Sequence, residues 1–215
     1  MKTKREIYLE LRNKILSEEI KPGEWLVERK LTEQYNVSRT PIREVLQMLA
    51  GDGLVEINNR RGYMVKKLTV DDFVEIYTAR EAIESSAARL TCMKMNEEVA
   101  EKLRQLRDQL AKIDIESDPS SGVLLGRRLH DLIIESCGNK LLQSFYEKLV
   151  ILANLTRNLT KRSVEIEKRS RDTHLQIIDA LLERNPEKVE QLMKEHLRVT
   201  CQNTVEKHYS LFLNS

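Results

Sequence analysis

Val37-Ser38-Arg39-Thr40-Pro41-Ile42-Arg43-Glu44-Val45-Leu46-Gln47-Met48-Leu49 reads as the start and body of a short amphipathic helix. Ile42, Val45, Leu46 and Leu49 recur at the helical period and form one apolar stripe, while Arg39, Arg43 and Gln47 point elsewhere. The helix begins at Ser38 or Thr40, and Pro41 suits either start because first-turn amides have no intrahelical partner. Gly51-Asp52-Gly53 closes it. One face can therefore be buried, which leaves a polar face carrying two arginines for a partner.

Upstream, Ile7, Leu11, Ile15 and Leu16 keep the same period over Arg5–Leu16, and Lys21-Pro22-Gly23-Glu24 stops that helix. Leu26, Leu31 and Tyr35 mark a second short helix that ends near Asn36, a residue tolerant of the left-handed conformation a tight turn needs. Downstream, Leu54-Val55-Glu56-Ile57 and Tyr63-Met64-Val65-Lys66 read as two strands around the hairpin tip Asn58-Asn59-Arg60-Arg61-Gly62. Three helices followed by a two-stranded hairpin make the order of a winged helix-turn-helix. No strand signal follows Leu68. Helical stretches run near Val70–Thr91, Glu97–Ile115, Val123–Cys137, Asn139–Leu159, Ser163–Glu183 and Pro186–His208, separated by short breaks. Short connections between long amphipathic helices give antiparallel neighbours. The fold class expected is mainly α: a winged domain over residues 1–67 and an antiparallel bundle of about six helices over 68–215.

Composition agrees with this division. Only 7 Gly and 4 Pro accompany 33% charged residues in 215, which favours long solvated helices over a turn-rich β fold. Residues 1–67 carry 14 Lys/Arg against 10 Asp/Glu, a net +4, whereas the remainder carries 22 against 24 and is slightly acidic. A basic module suits phosphate. Cys92, Cys137 and Cys201 are odd in number and widely spaced, so they suggest free thiols in a reducing compartment rather than disulfides or a paired metal motif. No apolar run approaches the roughly 20 residues of a membrane span, and the charged first dozen residues are unlike a signal peptide. A cytoplasmic protein without a membrane partner is the expectation.

The edge of guanine in the major groove offers two acceptors that one arginine fork can bridge, while phosphates take Lys, Arg, hydroxyls and backbone amides. Arg39 and Arg43 are four apart and share a face; Arg29 on the preceding helix and Arg60, Arg61 and Gly62 at the wing tip could grip the backbone on either side. Taken singly, an exposed helical arginine is usually part of a solvated face. Their place in a helix-turn-helix argues for more. Glu28-Arg29-Lys30-Leu31-Thr32-Glu33, the Val37–Leu49 stretch, Gly53-Leu54-Val55 and Arg61-Gly62-Tyr63-Met64-Val65 together resemble the GntR-type regulators. That resemblance implies that Arg29, Arg39 and Arg43 are the main contacts to double-stranded operator DNA, with Ser38, Thr40 and the Gly62 region touching backbone or groove.

His130, His174 and His196 fall on the apolar faces of three separate predicted helices. A lone histidine on such a stripe is usually a hydrogen-bonded core residue. Three from three helices can converge and hold a divalent transition metal such as zinc or nickel, with positions left for water or ligand. Tyr77-Thr78-Ala79-Arg80-Glu81-Ala82-Ile83-Glu84, Leu129-His130, Gly138-Asn139, Thr173–Ile178 and Met193–Leu197 resemble the all-helical FCD effector domain of the FadR-like branch. Metal-binding members of that family place an aspartate one helical turn before the first histidine, where this chain has Gly126. Asp131 and Glu195 do not replace it, because each adjoins a histidine and points roughly 100° away. By resemblance Arg80 faces the effector pocket, where a guanidinium can hold a carboxylate; equally, Arg80 can pair with Glu84 four residues on.

These readings converge on a homodimeric repressor whose affinity for a two-fold operator is set by a small organic acid, with or without metal. Two alternatives stand beside it: a histidine metalloenzyme with a basic accessory domain, and a regulator whose helical half only dimerises.

Overall fold

The computed structural model of the chain describes residues 2–58, 62–159 and 164–213, and the side chains of 2–58, 62–155 and 164–206. Arg60, Arg61, Ser163 and the side chain of His208 lie outside the described residues. The chain divides into two compact units, Met1–Asp72 with Val150–Leu159 and Phe73–Leu149 with Thr160–Ser215.

The first unit begins with α1 (Lys4–Leu16), β1 (Trp25–Leu26), α2 (Glu28–Tyr35) and α3 (Arg39–Gly51), and continues with β2 (Val55–Asn58) and β3 (Gly62–Val65). A reciprocal capping box between Thr3 and Glu6 starts α1, which buries Ile7, Leu11 and Ile15. Asn36 ends α2 at φ 51°, the left-handed position expected of it. α3 packs on α1 and α2. Its stripe of Ile42, Val45, Leu46 and Leu49 is fully buried, each residue stabilising the unit by about 1.5–3 kcal/mol relative to exposure.

The sheet corrects one expectation. It has three strands in the order β1-β3-β2, not two, because Leu26 lies in β1 opposite Tyr63 of β3 rather than in the second helix. A strand of two residues is too short to show a period-2 pattern, and Trp25-Leu26-Val27 directly precedes α2. The hairpin pairing runs from Val55↔Val65 to Asn58↔Gly62.

The chain continues with α4 (Val70–Lys94), α5 (Glu97–Lys112), α6 (Pro119–Ser136), α7 (Lys140–Leu159), α8 (Val164–Leu182) and α9 (Pro186–Leu213), which form the second unit apart from the first three residues of α4 and Val150–Leu159 of α7. α6 starts earlier than expected, at Pro119. Asp118 accepts the Ser121 amide and Pro119 takes the first helical position, so Asp-Pro-Ser-Ser-Gly is a helix start rather than a loop. α5 packs on α6 and α8, α6 on α8, and α8 on α9. α4 joins them through polar contacts: Thr91 Oγ1 donates to the Ile133 carbonyl of α6 at 2.7 Å, and Arg198 of α9 bonds Glu81 at 2.8 and 2.6 Å. Among the described residues, no helix is long and apolar enough to cross a membrane.

Candidate functional site

With its apolar stripe locked in the first unit's core, α3 presents Ser38, Arg39, Thr40 and Arg43 together on its exposed side. Ser38 stands at the N-cap but makes no side-chain capping bond. Arg43 remains 59% exposed, and its Nε donates to both carboxylate oxygens of Glu28 on α2, at 3.0 and 2.9 Å. Glu28 was not singled out from the sequence. It lies fifteen positions away on another helix, where no spacing rule applies. Arg29 is 77% exposed and only loosely associated with Glu33, at 3.8 Å. Gly62 opens β3 at φ +98°, a backbone conformation natural to glycine and strained for any side chain. Arg61 falls outside the described residues, so the wing's contribution is represented here by Gly62 alone.

In the second unit His130 of α6, His174 of α8 and His196 of α9 meet, all buried. His174 Nε2 lies 3.3 Å from His130 Nε2 and 3.2 Å from His196 Nε2, and the three candidate ligand atoms all lie within 4.8 Å of one another. Burial, followed by the neighbouring imidazoles, holds His196 well below the usual histidine range, so this ring is neutral and ligand-competent. Nitrogens about 2.0–2.1 Å from a zinc-like ion in tetrahedral geometry stand about 3.3–3.4 Å apart. The two separations from His174 Nε2 match those of ligands to such an ion, and the remaining pair lies within 4.8 Å. Among the described residues the cluster contains no carboxylate.

A carboxylate nonetheless stands behind it. His130 Nδ1 is 2.5 Å from Glu84 Oε2, and Glu84 also accepts from Arg80 Nε at 2.6 Å and Nη2 at 3.4 Å. Burial opposes charge on Glu84, but Arg80 and His130 outweigh it and hold its carboxyl low; burial likewise opposes charge on Arg80, whose pKa Glu84 keeps raised. The intrahelical pair anticipated for Arg80 is thus formed, at 3% exposure, with the guanidinium 5.1 Å from the Tyr77 ring centre. The link from Glu84 to His130 spans two helices and was invisible to local spacing. Asp131 accepts from Tyr146 Oη at 3.1 Å instead of joining the histidines. Glu195 lines a cleft of about 140 Å³ between α8 and α9, with Arg169, Thr173, Gln176 and Asn203, which reaches the cluster through His196.

Residues 3–65 match the model of the bacterial regulatory proteins of the gntR family, and residues 75–199 match the FCD domain. The chain is 30% identical over 195 residues to the HTH-type transcriptional repressor RspR of Escherichia coli (strain K12), covering 90% of this chain and 85% of that protein. It is 27% identical over 199 residues to the HTH-type transcriptional regulator YdhC of Bacillus subtilis (strain 168), covering 92% and 89%. The solved structure of E. coli McbR/YncC superposes with a TM-score of 0.75 at 17% identity, over 97% of this chain and 100% of that one, a likeness of fold. The two sequence relatives carry the names of transcription regulators, and the family models are those of a regulator, so the metalloenzyme alternative is set aside.

Proposed function

The chain belongs to the gntR family of bacterial regulatory proteins as a member with an FCD domain, and from that premise we propose that it is a homodimeric repressor controlled by a small carboxylate at the histidine cluster. The functional domains are residues 1–67, which read DNA, and 68–215, which bind the effector and dimerise; the protein works in the cytoplasm. On this reading α3 enters the major groove of a two-fold operator. Arg39 and Arg43 meet base edges, Arg29 meets phosphate, and Ser38, Thr40, Arg61 and Gly62 touch backbone or groove. Glu28 keeps the Arg43 fork oriented before DNA arrives. The assignment as a repressor is supported by the similarity to RspR.

In the helical domain His130, His174 and His196 hold a divalent transition ion such as zinc or nickel. Such an ion would supply positive charge for the effector's carboxylate. Glu84 accepts the His130 Nδ1 proton, which fixes the tautomer and turns the Nε2 lone pair toward the cluster. Glu84 also neutralises Arg80, so carboxylate capture by Arg80 requires that pair to loosen. The cleft beside His196 is smaller than the roughly 300–1,000 Å³ of drug-sized pockets and suits a small acid. The observation that carries this reading is the convergence of three buried Nε2 atoms from three helices in a chain that also exposes Arg39 and Arg43 on a core-locked helix.

The test is a thermal-shift titration with Zn²⁺, Ni²⁺ and Mn²⁺, each alone and with a panel of small carboxylates, followed by gel shifts on the chain's own upstream DNA. Stabilisation by a metal, extended by one acid that also alters the gel shift, is the expected result. Absence of any response would leave a regulator whose helical half only dimerises.

A further inference from the structure

Gly126 stands in the interior of α6, buried, one turn before His130 on the same face. Glycine is a poorer helix former than almost any other residue, and the helical backbone at this position does not demand it. The reason lies across the interface with α8. A Cβ built on Gly126 would overlap Cε1 of the His174 imidazole and lie 2.9 Å from its Nδ1 and 3.4 Å from its Nε2, although carbon atoms rest at roughly 3.5–4.0 Å.

The imidazole has little room to retreat. Its Nε2 is 3.2 Å from that of His196 and 3.3 Å from that of His130. Its ring centre is 4.5 Å from the first ring and 5.3 Å from the second, which it meets edge-on at 82°. The other buried glycine of α6 is different: a Cβ at Gly122 would press on Cδ1 of Ile115, the free end of a flexible side chain. Among the glycines, position 126 is the one where an added Cβ would press on the histidine cluster.

We infer that Gly126 is a positioning residue for the metal cluster: the space left by its absent side chain is where the His174 imidazole stands, and this sets how closely the three Nε2 atoms converge. The inference rests on the metal reading of the cluster. It makes the site a three-imidazole set built around a glycine. The volume that a side chain at position 126 would occupy is already taken up by one of the three rings. A divalent ion held there would receive no neutralising charge from position 126.

Four full-length proteins test this: wild type, Gly126→Ala, His174→Ala and the double variant. Each is melted in chelator and then titrated with Zn²⁺ against a chromophoric competitor. With His174 present, Gly126→Ala lowers the melting temperature and weakens Zn²⁺ by about tenfold or more. With His174 replaced by alanine, the same change raises the melting temperature, because alanine favours the helix and the opposing ring is gone; it leaves the residual Zn²⁺ affinity where it was. The inference is overturned if Gly126→Ala raises the melting temperature equally in both backgrounds, or leaves Zn²⁺ affinity intact with His174 present. Failure of the wild type itself to bind Zn²⁺ would remove the metal reading and, with it, the role assigned to Gly126.

Discussion

Arg43 is exposed, yet the 2.9–3.0 Å bonds from its Nε to Glu28 restrict its guanidinium before any partner arrives. Arginine's rigid fork gains from such pre-orientation, since fewer rotamers are lost on contact with a base. Replacing Arg39 or Arg43 with alanine is expected to lower specific operator affinity by about 1–3 kcal/mol, measured by fluorescence anisotropy. An unchanged preference for operator over scrambled duplex would count against a base contact. Asp72 gives a pH prediction. It accepts from Lys66 Nζ at 2.6 Å and from both the amide and hydroxyl of Thr69 at 2.8 Å. Burial raises its pKa, but these partners outweigh it and the net shift is downward from 3.8. A folded-state pKa below the unfolded one stabilises the fold above about pH 4, and the contribution is lost as pH falls through the depressed value. Asp72→Asn should therefore lose about 1 kcal/mol at pH 7, and the deficit should shrink as pH is lowered below about 4, read by urea melts across that range. At this scale the sequence exposed Arg39, Arg43 and the three histidines through helical spacing. Glu28 and Glu84 were missed as site residues because their contacts join different helices.

Elements were legible wherever the hydrophobic period was long enough to count. The stripe Ile42, Val45, Leu46, Leu49 located α3, and the period from Ile7 to Leu16 located α1. Two short features were misread for a common reason: β1 holds only two residues, and the first turn of α6 is written in capping chemistry at Asp118 and Pro119, not in apolar periodicity. α4 illustrates a further difficulty. Its buried face includes Arg80, Glu84, Ser85 and Thr91, so polarity along this helix does not report exposure. The structural weight of α3's stripe can be tested directly. Leu46 is fully buried, and Leu46→Ala should destabilise the first unit by about 2–5 kcal/mol, seen as a lower urea midpoint with an unchanged slope. A loss below about 1 kcal/mol would mean that α3 is not anchored by this stripe.

For the molecule as a whole, the proposed reading couples two chemistries carried in one chain, a basic surface for phosphate and base edges and a buried imidazole cluster for a metal and its anion. Ligand binding to the folded state must raise stability: Zn²⁺ at one hundred times its dissociation constant should add about 2.7 kcal/mol. His174→Ala should sharply reduce that gain at the same Zn²⁺ concentration, and an undiminished gain would place the ion elsewhere. Regulation asks for more than binding, because an effector shifts DNA affinity only by favouring one arrangement of the protein over another, and the coupling is reciprocal. The deciding measurement is operator affinity by fluorescence anisotropy, with and without Zn²⁺ and the best-stabilising carboxylate, for wild type and His174→Ala. The account predicts an affinity change of about fivefold or more in the wild type and none in the variant. An equal change in both, or no change in the wild type with any ligand that stabilises it, would contradict control of DNA binding from the histidine cluster.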